Sequence, residues 1–244
     1  MDNENGLLNL KSLKQQVYEY LRKQMGKGNI LPGSVINLNK TAKQLGISKT
    51  PLREALIQLE MDEFVRILPR KGIVVNVLTL RDIKDFYQLI GSLERSAVLS
   101  AFAKIGREKI EEMEKLNRKM QEAIENGGFD IYYQKNLEFH NTYLNLCQNK
   151  HLVKIVNTLK KRLYDFPRQR GYLKEWEEAS IKEHEKFLNF LKENNPRLAA
   201  DYIRDVHWFF EVQKKFIKKY YPLKEYQKRL EETLGERYTK EAVD

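Results

Sequence analysis

The stretch from residue 37 to residue 77 leaves this chain few ways to fold. It opens with a short helix, Asn39–Leu45, and turns at Gly46-Ile47-Ser48. A second helix follows, with Pro51 just inside its start, where a missing N–H costs nothing and the fixed φ suits the first turn. Leu52, Ala55, Leu56 and Leu59 recur at helical spacing and mark its inward face. Two β-rich runs come next, Phe64–Leu68 and Ile73–Val77, joined by Pro69-Arg70-Lys71-Gly72. A four-residue connection with a glycine available for positive φ is a hairpin signal. Val35-Ile36 is placed to add a short strand against this ribbon.

Helix, glycine turn, helix and a two-stranded wing with a basic tip is the winged helix-turn-helix plan. Its second helix enters the major groove of double-stranded DNA and offers N-terminal residues to base edges. Here those residues are Ser48, Lys49, Thr50 and Arg53. The hydroxyls suit phosphates or bases, Lys49 brings a point charge, and Arg53 can fork onto a guanine. At the wing tip, Arg70, Lys71 and Gly72 are expected to reach the adjacent backbone or minor groove. The plainer alternative, a packed helix pair with a solvated basic face, does not account for the wing.

The residues also carry a family likeness. Ile30-Leu31-Pro32-Gly33, then the run from Leu45 to Leu56 (LGISKTPLREAL), then Leu59, resemble the GntR family of bacterial transcription regulators. The likeness covers about residues 10–77. Lys49 stands where that family usually has Arg, which keeps phosphate attraction but loses the bidentate fork. The run Asp62-Glu63-Phe64 replaces the family's usual Glu-Gly-Leu before the wing.

A length of 244 residues allows two ordinary domains, and the change of pattern near residue 78 divides it so: 1–77, then 78–222, with a charged segment 223–244 after them. The formal charge of +10 favours a polyanionic partner. Residues 1–77 hold 12 Lys+Arg against 7 Asp+Glu, so +5 sits on less than a third of the chain. Cys147 is the single cysteine, so no intramolecular disulfide forms and a reducing cytoplasm is the expected home. No signal-peptide core and no run of membrane-spanning length is seen, so no membrane partner is expected.

Leu13, Val17, Tyr20 and Leu21 make an amphipathic first helix, Leu10 to about Met25, expected to pack behind the helix pair. After Val77 strand character disappears. Thr79 is a good N-cap with Asp82 three residues on, and Ile83, Phe86, Tyr87, Ile90, Leu93, Ala97 and Ala101 mark a buried face as far as Ile105. Further helices are expected over Arg107–Asn126, Asp130–Cys147, Lys150–Phe166, Glu175–Glu193 and Arg197–Tyr220. Leu223–Tyr238, after Pro222, reads either as one more helix packed outside or as a mobile tail. The fold class is therefore mainly α: an N-terminal winged helix-turn-helix followed by an all-α antiparallel bundle of six or seven helices.

Three of the four histidines lie on apolar stripes, each on its own helix: His140, His184 and His207. One such residue is usually a hydrogen-bonded core histidine. Three in one bundle suggest a metal site, because facing helices supply ligands to a central cavity. Asn136 lies four residues before His140 and shares its helix face. His151, after Asn149-Lys150, reads as an ordinary surface or cap residue.

This half has a likeness of its own. Asn136-x-x-Phe139-His140, then Glu183-His184, then Ala200 through His207, resemble the effector domain of FadR-type (FCD) GntR regulators, over about residues 78–215. Leu93-Glu94 fits the same family's R-x-x-l-E run. The resemblance implies a divalent metal, Zn²⁺ or Ni²⁺, held by an Asp and three His, and a homodimer. Two positions depart from the pattern. Asn136 replaces the Asp, so a bound ion would keep its full +2 charge and favour an anionic effector. Ile90 replaces the Arg that often meets an effector carboxylate, leaving Arg162, Arg168 and Arg170 as other sources of positive charge.

The expectation is a dimeric, ligand-responsive repressor of transcription that reads a pseudo-palindromic operator, its helical domain sensing a small anionic metabolite. One rival has a bundle that only dimerises, its histidines structural. Another is a three-histidine metalloenzyme with Glu94 or Glu183 as base, which leaves the winged domain without a purpose.

Overall fold

A computed structural model describes residues 11–69, 72–164 and 173–235. The chain separates into two compact units. Residues 11–69, 72–79 and 223–235, with Tyr164, form the first, and 80–163 with 173–222 form the second.

The first unit begins with α1 (Leu13–Gly26), whose N-cap Ser12 accepts from the Gln15 N–H. After β1 (Val35–Ile36) come α2 (Leu38–Leu45) and α3 (Lys49–Met61). Gly46 ends α2 at φ 65, with its own N–H on Lys43 and that of Ile47 on Ala42. A Cβ at Gly46 would meet nothing within 4 Å, so the left-handed backbone, not crowding, is what calls for glycine there. The end of α3 has the same cap without glycine: Glu63 sits at φ 60, while Phe64 N–H reaches Leu59 O. Leu52, Ala55, Leu56 and Leu59 are fully buried, with Val17 and Leu21 of α1 in the same core. Each such leucine contributes about 2 kcal/mol. Tyr18 donates to Asp62 at 2.6 Å and ties α1 to the end of α3.

The wing is β2 (Val65–Leu68) and β3 (Gly72–Val75), antiparallel, with Leu68 opposite Gly72. β1 pairs with the other edge of β3, giving a three-stranded sheet in the order β1-β3-β2. Glu60 of α3 accepts the Ile67 N–H at 2.6 Å and so anchors the wing to the helix before it.

The second unit is a helical bundle: α4 (Leu80–Ala101), α5 (Arg107–Glu125), α6 (Phe129–Leu144), α7 (Lys150–Tyr164, its last residue grouped with the first unit), α8 (Lys174–Lys192), α9 (Pro196–Tyr202) and α10 (Phe210–Tyr220). A short 3₁₀ turn, Phe102–Lys104, ends α4, and α5 packs against both α6 and α8.

One sequence expectation needs correcting. The single helix expected over Arg197–Tyr220 is interrupted: Ile203–His207 is a π-turn, Trp208 N–H reaches back to Ile203 O, and Phe209 is extended at φ −91, ψ 112. Helical periodicity alone hides such a widened turn, because the buried positions on either side still look regular. Of the two readings of the terminal segment, a further packed helix or a mobile tail, the described residues form the helix α11 (Leu223–Leu234), and it belongs to the first unit. Tyr226 and Leu230 are its two buried anchors.

Candidate nucleic-acid interface and candidate metal centre

Ser48 is the N-cap of α3 by backbone conformation, and its hydroxyl makes no capping bond. Ser48, Lys49, Thr50 and Arg53 are all exposed, clustered on the first turns of α3. None makes a side-chain bond or ion pair to the described residues, so hydroxyls, ammonium and guanidinium stand together beside the helix's unsatisfied N–H groups. Such a surface attracts phosphate. Gly72 opens β3 at φ 95, and Arg70 and Lys71 lie outside the described residues.

In the second unit, one ring nitrogen from each of His140 (α6), His184 (α8) and His207 (π-turn) lies within 4.8 Å of the others. The ring centroids are 4.9–5.3 Å apart. Every Nδ1 is already engaged. His140 Nδ1 faces Glu94 Oε2 at 3.0 Å and the Tyr143 hydroxyl at 2.7 Å. His184 Nδ1 faces Asn117 Oδ1 at 3.1 Å, and Asn117 is itself oriented by donating to Ile181 O. His207 Nδ1 faces Glu183 Oε2 at 2.7 Å. An oxygen on Nδ1 fixes the tautomer that turns a bare Nε2 lone pair outward, the usual outer support of a metal-binding histidine.

Nε2 of His140, Nε2 of His184 and Oδ1 of Asn136 are buried without a hydrogen-bond partner among the described residues. A buried polar atom left unpaired costs about 1–3 kcal/mol. The three histidines form a donor set suited to a divalent cation, and Asn136 lies one turn before His140 on α6. Burial, aided by the Lys160 ammonium, pushes His140 down to about 3. Burial also holds His184 well below the ordinary histidine range, with His207 and His140 adding to it. Both imidazoles are therefore neutral at pH 7, which is the ligating form.

Behind His140 lies a buried ionic cluster. Glu94 on α4 is fully buried, pairs with Lys160 of α7, and accepts from the Trp208 indole N–H at 2.9 Å. Burial opposes its charge, yet Lys160 and His140 outweigh burial and hold the carboxyl well below its usual range. Burial lowers Lys160, and Glu94 resists that shift. Gly91, one turn before Glu94, allows α4 this close: a Cβ there would lie 3.0 Å from the Trp208 Cβ.

Of the other residues named from sequence, Ile90 is fully buried, and Arg162 is buried with its guanidinium over the Phe86 ring. Arg168 and Arg170 lie outside the described residues. His151 is exposed at the start of α7. Glu94 and Glu183 sit on the Nδ1 side of His140 and His207, where they orient ligands and hold no position for a general base. Sequence reasoning missed Lys160, Asn117 and Gln213. The signal was available for two of them: Leu152, Val156, Lys160 and Leu163 recur at helical spacing, and Asn117 lies within the stripe Met113–Leu116–Met120.

A winged DNA-reading unit joined to a helical bundle with a histidine centre defines a class of bacterial regulator. Residues 13–75 match the model described as bacterial regulatory proteins, gntR family, and residues 85–206 match the FCD domain. The chain belongs to the GntR family of transcription regulators, in the branch with an FCD domain, and is a regulator, not an enzyme. It is 28% identical over 190 residues to the HTH-type transcriptional regulator YdhC of Bacillus subtilis (strain 168), covering 77% of this chain and 84% of that one. It is 27% identical over 200 residues to the gluconate operon transcriptional repressor of Bacillus licheniformis, covering 78% and 79%. Among solved structures, Escherichia coli McbR/YncC shares the fold at a TM-score of 0.66 and 23% identity, covering 86% of this chain and 97% of that one. No helix of the described residues is long and apolar enough to cross a membrane.

Proposed function

We propose that this chain is a cytoplasmic, homodimeric repressor that reads a pseudo-palindromic operator and is released by a small anionic metabolite bound at a divalent metal in the helical unit. The observation that carries the sensing half is the set of buried, unpartnered ligand atoms: Nε2 of His140, Nε2 of His184 and Oδ1 of Asn136. Purely structural histidines would leave those atoms unpaired at a cost. Zn²⁺ or Ni²⁺ would be held by His140, His184, His207 and Asn136, and when bound it supplies a doubly positive, Lewis-acidic point for an effector oxygen. With four neutral ligands the ion's charge is undiminished in its first shell, which favours a carboxylate or similar anion. His140, His184 and His207 are oriented by Glu94, Asn117 and Glu183.

The DNA-reading half rests on Ser48, Lys49, Thr50 and Arg53 on α3, with Arg70, Lys71 and Gly72 assigned to the wing tip. Two such units related by a twofold axis would read two half-sites one helical turn or a multiple apart. The name of the gluconate operon repressor supports repression over activation for this chain. An effector that prefers the non-binding arrangement shifts the population away from DNA.

Selection of duplexes from a random pool by the full-length protein tests this reading. Enrichment of a site with twofold symmetry, and weaker binding to it when the metal-loaded protein meets a small carboxylate, is the expected result. Binding that depends on salt alone, with no enriched site, would contradict it.

A further inference from the structure

The terminal helix α11 lies beyond both family-matched stretches, which end at residues 75 and 206. Half of its residues are charged, yet Tyr226 is fully buried and Leu230 is 4% exposed. Its main chain packs directly on the turn before the wing. A Cβ added at Gly33 (φ 78) would lie 2.9 Å from Leu230 N and 3.3 Å from the Arg229 carbonyl carbon, so only glycine lets the two backbones meet. Arg229 Nη1 donates to Pro32 O at 3.2 Å. That turn is in turn bonded to the wing: Gly33 N–H donates to Val75 O and Val75 N–H to Ser34 O, both at 2.9 Å. Any displacement of α11 therefore loads Pro32–Ser34 and the end of β3.

In the chain, α11 follows α10 after only Tyr221, whose backbone is extended (φ −92, ψ 118), and Pro222, whose ring fixes φ. On α10, Gln213 is 2% exposed and donates to Glu183 Oε1 at 2.9 Å, while the Trp176 indole donates to its own Oε1. The second oxygen of the same Glu183 faces His207 Nδ1. The position of the His207 ring is thus coupled through one carboxylate and one amide to α10, the helix that precedes α11 in the chain.

We propose that α11 is a transmission strap. It is an integral part of the DNA-binding unit, and through it the state of the His207–Glu183–Gln213 triplet reaches the Gly33 turn and the wing. Its control by metal rests on the function proposed above. Its control by Gln213 does not.

Hydrogen exchange of the full-length protein, followed at the Gly33 and Val75 amides, tests the strap with two perturbations. One is Gln213→Ala without metal, and the other is Zn²⁺ added to the unmutated protein, with bound zinc measured in parallel. Both should change exchange at Gly33 and Val75 by about tenfold, the scale of one lost or gained charge-assisted bond. Inserting Gly-Ser-Gly-Ser between Tyr221 and Pro222 should abolish both responses while leaving zinc stoichiometry unchanged. Arg229→Ala alone should speed exchange at both amides. Equal responses with and without the insertion overturn the strap. So does an unmoved Gly33 turn in Gln213→Ala. Failure to bind zinc would overturn the metal reading only, because the Gln213→Ala arm still decides the strap.

Discussion

Glu183 and His207, 24 residues apart, meet at 2.7 Å, while the chain neighbour of Glu183, His184, turns its own ring toward the same centre. One step along α8 thus supplies both a candidate ligand and the outer support of a different candidate ligand. Supports of this kind usually account for about 10–100-fold in metal affinity. Glu183→Gln, which keeps the shape and removes the charge, should therefore weaken Zn²⁺ or Ni²⁺ by that factor. Competition against a chelator of known affinity measures it, and an unchanged constant would place Glu183 outside the site.

Asn136 presents a buried Oδ1 with no partner where an acid would add a negative charge. Asn136→Asp should tighten a divalent ion by on the order of tenfold or more, since an anionic oxygen is the better ligand. The same change should lower the melting temperature of the metal-free protein, because a buried, unpaired carboxylate is costly. Thermal scans with and without Zn²⁺ read both effects, and they have opposite signs.

Lys160 is 3% exposed and neutralises Glu94, which is fully buried. Lys160→Met leaves that carboxylate without its cation and should destabilise the helical unit by about 3–5 kcal/mol. Adding Glu94→Gln to the same chain should recover much of the loss. Denaturant unfolding of the single and double variants checks the coupling.

Arg53 is exposed one turn beyond Lys49 on α3, with no partner among the described residues. Arg53→Ala should cost about 1–3 kcal/mol on a selected operator and relax the preference at one base position. Lys49→Ala should instead weaken all sequences alike and flatten the salt dependence by about one ion. Titrations at several salt concentrations separate the two.

The fold was readable where local chemistry and tertiary burial agree. Pro51, the leucines of α3 and the glycine at 46 pointed to the helix pair, and the apolar stripes pointed to the bundle. The π-turn at Ile203–His207 was not readable, because helical spacing of Ile203, Val206 and Phe210 survives one inserted residue. The place of α11 was hidden for another reason. Its charge pattern describes the solvent face, and only the packing of Leu230 on Gly33 reveals what the two apolar residues meet. At the site, histidines announce themselves on apolar stripes, and Lys160 also falls on one, although the run Lys160-Lys161-Arg162 masks it as a solvated basic stretch. The outer-shell contacts of Glu94, Asn117 and Glu183 join residues 24–67 positions apart, and no periodicity encodes such pairings.

Elemental analysis of the full-length protein, purified without chelator or metal-affinity tag, tests the central claim most directly. About one equivalent of a first-row divalent metal per chain, lost in His140→Ala with folding intact, is the predicted result. A metal-free protein that still takes up neither Zn²⁺ nor Ni²⁺ on titration would contradict it.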